Sequence, residues 1–448
     1  LFLVETNATV NLEGLALAEG HAFSFNPASM DEKSGGAVLN YGTLALTNCI
    51  LRGNRASDSF SAGGNSVMGG WGGALFNRGS LTLDRCAFYR NKAADASMSI
   101  FMAMPGQPGG KGGAIYSSGP LTAKACSFIG NQAGSGSFGQ SDFMFGIPGY
   151  GGAGGDGGAI FMEAPLHLEN CTLAANTAGN GGGGGNSSET PGICGPGGSG
   201  GAIYALDQVT LVNCTLAQNQ TGTRGSPGEG QTGGHGGGLF APSTTRTLLN
   251  TLIAGNSAVD GGSNPDLQGA VVSLGHNLIR IADGSSGLTN GVGGDQTGSM
   301  ATPLEPFLSS LVYSTNSISG YLAPGFGSTA LEGGDDVVLA PPYSLTQDGR
   351  GFARKSGVRV DIGSYETDAS TFLQPSLQLA GVSDTTTHPA GATDAVFGGT
   401  IDPGTLPWRA YLEYGLTTAY GQRSPEFSSN GTNSIVLTNL VQGLLGGY

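Results

Sequence analysis

The chain has 448 residues, of which 83 are glycine and only 11% are charged, and its formal net charge is -14. That balance excludes nucleic acid and anionic membrane surfaces as partners, since both need clustered Lys and Arg. No apolar run reaches the roughly twenty residues a membrane-spanning helix requires, and there is no Gly-X-Y period, which excludes collagen.

The first residues, Leu1-Phe2-Leu3-Val4-Glu5, already read as a strand, without Met or a charged leader. The expectation is a secretory signal already removed, or a piece of a longer chain. Leu12 to Gly20 aligns with the back half of a repeat that becomes explicit further on, with Leu15 and Gly20 in its two key places. The repeat is thus under way from the start, and an N-terminal end without a cap is expected.

From residue 35 one cassette recurs six times. It opens at Gly35-Gly36-Ala37, Gly72-Gly73-Ala74, Gly112-Gly113-Ala114, Gly157-Gly158-Ala159, Gly200-Gly201-Ala202 and Gly236-Gly237-Gly238. Cys49, Cys86, Cys126, Cys171 and Cys214 each follow the small residue by twelve positions, and Thr251 follows by thirteen in the last copy. Five residues later come Asn54, Asn91, Asn131, Asn176, Asn219 and Asn256. The cassette is nearly constant, while the connectors vary from sixteen to twenty-five residues. A fixed unit with elastic connectors is the mark of a solenoid.

Within a cassette the apolar spacing is two. Leu121 and Ala123, then Cys126 and Phe128, point the same way. The phase repeats at Leu44 and Leu46, Leu81 and Leu83, Leu166 and Leu168, and Val209 and Leu211. Two residues beyond each Cys place stand Leu51, Phe88, Phe128, Leu173, Leu216 and Ile253. Three short strands per turn, stacked at a rise of about 4.8 Å, give a parallel β-helix. The five repeat-position cysteines are expected as a buried column of free thiols, not as disulfides or metal ligands; Cys194 lies apart in a connector. The asparagines are expected at a corner that tolerates left-handed dihedrals, their amides stacked in a ladder. The Gly-rich connectors, such as Gly179 to Gly201, are expected to leave at one corner as a flank of loops. One of them, Gly151-Gly152-Ala153-Gly154-Gly155-Asp156, matches half of a calcium-binding nonapeptide but lacks its large apolar residue.

The GGAIY, NCTL and N pattern over residues 30–260 resembles the repeats of chlamydial polymorphic outer membrane proteins and other bacterial surface β-helix proteins. Asn264-Pro265-Asp266-Leu267, Ser273 to Ile279, Gly294-Asp295-Gln296-Thr297-Gly298, Asp348-Gly349-Arg350-Gly351 and Val360-Asp361-Ile362-Gly363-Ser364-Tyr365-Glu366 are similar to the terminal part of large secreted β-helices. The resemblance implies a right-handed helix and an exported protein of structural or adhesive role. Residues 1–366 are assigned to the β-helix, with six clear rungs over 35–256 and a divergent part from 257 to 366. Leu308 to Ala340 departs from the pattern.

Residues 367–374 read as a linker. Strand candidates follow at Pro375 to Leu379, Ala395 to Ile401, Trp408 to Gly415 and Asn433 to Leu437. They resemble a fibronectin-type-III-like module that is incomplete over 375–448. An uncapped solenoid with a sandwich short of strands suggests either head-to-tail self-association, with strand complementation, into a filament, or truncation of a longer protein.

Enzymatic β-helices carry paired carboxylates on one face. Here Asp335-Asp336 lies in the atypical segment, and His276 with Arg280 only faintly echoes a polygalacturonase site. His21, His167, His235 and His388 are scattered. No catalytic residue, cofactor or metal ligand is assigned. Tyr116, Phe161 and Tyr204 share one repeat position and are either a glycan-binding stripe or a covered column. Among the sequons, Asn186, Asn7, Asn219 and Asn430 are candidate glycan acceptors, while Asn170 and Asn213 flank core cysteines and are poor ones. The reading is an all-β, secreted or surface-exposed structural protein, a fibre subunit or adhesin. A carbohydrate-active enzyme or glycan-binding module is the alternative.

Overall fold

The computed structural model describes residues 2–23, 29–58, 67–98, 104–141, 148–185, 192–228, 230–243, 245–314 and 316–368, and the backbone of seven short strands between 376 and 441. The chain divides into two compact units, Leu1–Glu366 and Thr367–Tyr448.

The first unit is a parallel β-helix. The coil of the third cassette places Ile115–Ser117, Leu121–Lys124 and Ser127–Ile129 on three successive faces. Each strand pairs in parallel with its counterparts one coil before and one coil after, so Phe128 lies between Phe88 and Leu173. The first sheet starts at Phe2–Val4, the second at Thr9–Glu13 and the third at Ala16–Ala18. A fourth line of isolated bridges runs His21, Arg55, Lys92, Gln132, Thr177, Gln220, Ser257. Near the far end one strand, Leu267–Ser273, serves the first two sheets at once. The third sheet ends at Gln296–Thr297.

The interior follows from the two-residue period. Leu44, Leu46, Cys49 and Leu51, and their counterparts in later coils, form one continuous buried core. Phe88 and Phe128 stack at 4.9 Å in it, with rings almost parallel. Phe128→Asp would place a carboxylate in this file, with no cation beside it. A loss of about 3–5 kcal/mol is expected, read as a fall in the melting temperature; an unchanged melt would contradict the packing.

The outer face of the third sheet is also buried, which repeat logic alone does not explain. Tyr89, Ile129, Ala174 and Ala217 pack with Leu322 and Tyr313, and Leu252 and Ala254 pack with Ala330 and Ile362. Residues 304–366 therefore add no coils. They run back along the outside of the third sheet as a strap. Of the divergent part from 257 to 366, the stretch up to Thr297 continues the coil, and the rest does not repeat the cassette.

In the second unit, the antiparallel sheet of Ser376–Ser383, Ala395–Asp402 and Ile435–Val441 is accompanied by two short pairs, Trp408–Ala410 with Phe427–Ser429 and Glu413–Tyr414 with Gln422–Arg423. Among the described residues no helix is long and apolar enough to cross a membrane.

Candidate functional site

The asparagine column is a closed hydrogen-bond circuit. The Asn131 backbone N–H and side-chain Nδ2 both donate to Asn176 Oδ1, each at 2.9 Å. Nδ2 of Asn131 also donates to the Phe88 carbonyl at 2.9 Å. The same three bonds recur at Asn54, Asn91, Asn176 and Asn219. The left-handed corner stands one residue earlier, at Gly53, Arg90, Gly130, Ala175, Gln218 and Gly255. The asparagines therefore serve through their amides, and the expectation that they supply the left-handed dihedral is corrected.

The column ends on Asp266. Its Oδ1 takes the donors of Asn256 at 3.1 and 2.8 Å, and its Oδ2 takes the Ile281 N–H at 2.9 Å. Burial raises this carboxyl from 3.8 to about 6, against the pull of those donors. The fold thus holds the proton more tightly than the unfolded chain does. Asp266 stabilises fully below its unfolded value, and that contribution is lost as the pH rises through about 6. The melting temperature should fall over this interval, and Asp266→Asn should flatten the slope; an unchanged slope would refute the assignment.

The thiol column is equally regular. Cys86, Cys126, Cys171 and Cys214 are buried, as is Cys49. Each Sγ donates to the carbonyl two residues back, as Cys126 does to Lys124 at 3.2 Å. Four of them also reach the previous coil, Cys86 to Leu46 and Cys214 to Leu168. Thr251 uses its hydroxyl the same way, toward Leu211 at 3.2 Å and Leu249 at 3.0 Å. Burial pushes the Cys126 and Cys171 thiols well above their ordinary value. Native protein should show no thiol labelling by iodoacetamide, while guanidinium should expose all six cysteines; rapid labelling of the folded chain would contradict the burial.

The connectors are not loops. Gly134, Ser137 and Gln140 donate to the carbonyls of Gly110, Gln107 and Met104 at 2.8, 3.0 and 2.8 Å. On a second side, Ala133, Gly136 and Gly139 donate to Thr177, Asn180 and Gly183. Donors spaced by three toward each neighbour define polyproline-II rods, which have three residues per turn and no internal bonds. In the described residues of the connectors after Asn91, Asn131, Asn176 and Asn219, one rod leads out and another leads back, so the rods form two antiparallel layers, a fin on the solenoid. A continuous line of bonds links Gly70, Ala94, Gly110, Gly134, Gly155, Gly179, Gly198, Gly222 and Gly234. Ala94 apart, the line is all glycine, and inside the fin a side chain has no room: a Cβ at Gly179 would sit 1.8 Å from the Gly134 carbonyl oxygen. Pro105, Pro108 and Pro196 occupy the third set of positions, whose N–H is not needed by either neighbour. A glycine every third residue, as at 149, 152 and 155 or 192, 195 and 198, is the signal that could have revealed the rods. The half nonapeptide of 151–156 is one of these return rods.

The motif residues of the strap form its clasp. Asp348 Oδ2 accepts from Arg350 Nε and Nη2 at 2.8 and 2.6 Å and from the Glu366 N–H at 3.1 Å. Arg354, fully buried, donates to the Asp361 carbonyl at 2.6 Å and lies 3.4 Å from Glu366. Asn170 and Asn250 donate to the Gln347 and Asp335 carbonyls, and Ser364 bonds Thr172 and Thr215. These columns of the solenoid thus hold the strap as well.

The remaining candidates are dispersed. Asp335 caps a short 3-10 turn through Val337, and Asp336 pairs with Lys355 and the Val360 N–H. His276 bonds the Gly333 carbonyl at 2.8 Å, and His167 pairs with Glu169 at 2.9 Å. Tyr116 and Phe161 are buried, so those two rings offer no open glycan platform. Tyr204 is half-buried. Asn7 is exposed on a turn. Asn219 is corrected as a glycan acceptor: it is fully buried and its amide is committed to the ladder. Asn186, Asn430 and His388 lie outside the described residues.

The class these features define is a three-faced parallel β-solenoid carrying a polyproline-II fin and an external strap. No family model matches the chain, and no curated protein or solved structure matches it.

Proposed function

We propose that the chain is a non-catalytic structural rod of a secreted or cell-surface protein, a fibre subunit or an adhesin that presents the fin. The observation that supports this reading is the uninterrupted run of hydrogen-bonded columns from coil to coil. A rod held by backbone ladders and a dry core resists bending and proteolysis, because no segment opens without breaking bonds to two neighbours. Head-to-tail stacking would extend the same columns across chains. The likeness to bacterial surface β-helix repeats fits an exported protein.

The test has two parts. Native protein should resist proteinase K, and cells bearing it should lose it to external protease only after unfolding stress. Pectin, alginate and related glycans should be unchanged after incubation; new reducing or unsaturated ends would favour the carbohydrate-active reading instead.

A further inference from the structure

The outer side of the first sheet carries an aromatic column, and the chain tops part of it with its own cations. Phe76, Tyr116, Phe161, Tyr204 and Phe240 follow one another at ring distances of 5.0, 5.6, 5.0 and 5.1 Å. Arg78 lies 5.3 Å from the Phe76 ring centroid. Lys111 Nζ lies 4.2 Å from that of Phe161 and 5.6 Å from that of Trp71. Trp71 covers Tyr116 at 4.6 Å. Trp71 and Lys111 share one repeat position, the residue before each Gly-Gly pair, and each reaches the ring of the next coil.

That position changes character further along, where it holds Asp156 and then Ser199. Both are too short to roof the next ring, and Tyr204 and Phe240 are left half-exposed. Among the described residues no Lys or Arg lies over either ring. A carboxylate stands there instead: Asp156 Oδ1 accepts from the Ser199 N–H at 2.8 Å, and its charge is felt at Tyr204. The His235 ring closes the far side, 6.3 Å from Phe240.

We infer that Tyr204, Phe240 and Asp156 form a binding site for an alkylammonium group supplied from outside the chain, in the place Lys111 fills one coil earlier. The ring faces attract the cation through their quadrupoles, and the carboxylate neutralises it. Burial raises the Asp156 carboxyl to about 6, against the pull of the Ser199 N–H and the charge of Lys111.

The test uses the full chain labelled with 13C-tyrosine, titrated with n-butylammonium chloride against sodium chloride at equal ionic strength. The Tyr204 signal, assigned with Tyr204→Phe, should shift saturably with the amine alone. Asp156→Asn keeps the acceptor for Ser199 and should weaken binding about tenfold or more. Asp156→Lys should supply the cation in cis and abolish the response. An amine effect equal to that of sodium, or unchanged in Asp156→Asn with native circular dichroism, would overturn the inference.

Discussion

Asn176→Ala is expected to cost about 3–5 kcal/mol of unfolding free energy, more than a mid-size core truncation of a similar number of atoms. The reason is what it strands. Asn131 loses the acceptor for both its backbone N–H and its Nδ2, and the Phe128 carbonyl loses its donor. All of these groups are buried, and each unpaired one costs about 1–3 kcal/mol. Residue 176 keeps only its backbone bonds, from its N–H to Asn219 and from the Gln220 N–H to its carbonyl. Asn176→Asp separates amide chemistry from shape. It preserves the acceptor for Asn131 but turns the donor toward Phe128 into a second acceptor. Its loss at neutral pH should exceed that of Ala and shrink on acidification, because protonation restores one donor. Chemical denaturation of the three proteins decides it; equal stability of Asn176→Ala and the parent would contradict the circuit.

Gly179→Ala should be almost as damaging although it adds a single methyl group. The new carbon would meet the Gly134 carbonyl oxygen at 1.8 Å and the Gly155 nitrogen at 2.5 Å, both backbone atoms that cannot rotate away. The rod must move, breaking the bonds that Gly179 makes to Gly155 and that Gly198 makes to Gly179. A loss of about 3 kcal/mol or more is expected, with amide exchange accelerating in residues 132–140, 151–155 and 195–198. Ser135→Ala, which keeps the backbone bonds of residue 135 to Asp95 and Ala96, should change stability by no more than about 0.5 kcal/mol. If both variants behave alike, the fin is not packed as described.

The solenoid was legible because its chemistry repeats at one position. Cys126 with Phe128, and Asn131 five residues on, each have counterparts in every cassette, and period two fixes which side chains turn inward. The corner dihedral was misplaced because the residues that adopt it are Arg90, Ala175 and Gln218 as often as glycine, so no single residue type marks the column. The fin escaped for another reason. Its period of three is interrupted at Ser137 and Gln140 and restarts in each connector, so a search for one chain-wide Gly-X-Y repeat does not find it. The strap has no repeat at all. Asp348, Arg354, Asp361 and Glu366 are recognisable only as a motif, and their purpose emerges once the chain has folded back on the third sheet.

The aromatic position shows the limit of pattern alone. Tyr116, Phe161 and Tyr204 are alike in sequence, yet Trp71 and Lys111 bury the first two while Asp156 leaves the third half open. What distinguishes them is the residue one coil away.

Sulfur-anomalous diffraction from crystals of the protein tests the stacking most directly. Of the sulfur peaks from six cysteines and eight methionines, the account predicts that the five of Cys49, Cys86, Cys126, Cys171 and Cys214 stand in one straight file with steps of about 4.8 Å. Those five scattered through the molecule, or joined in pairs about 2.05 Å apart as disulfides, would contradict it.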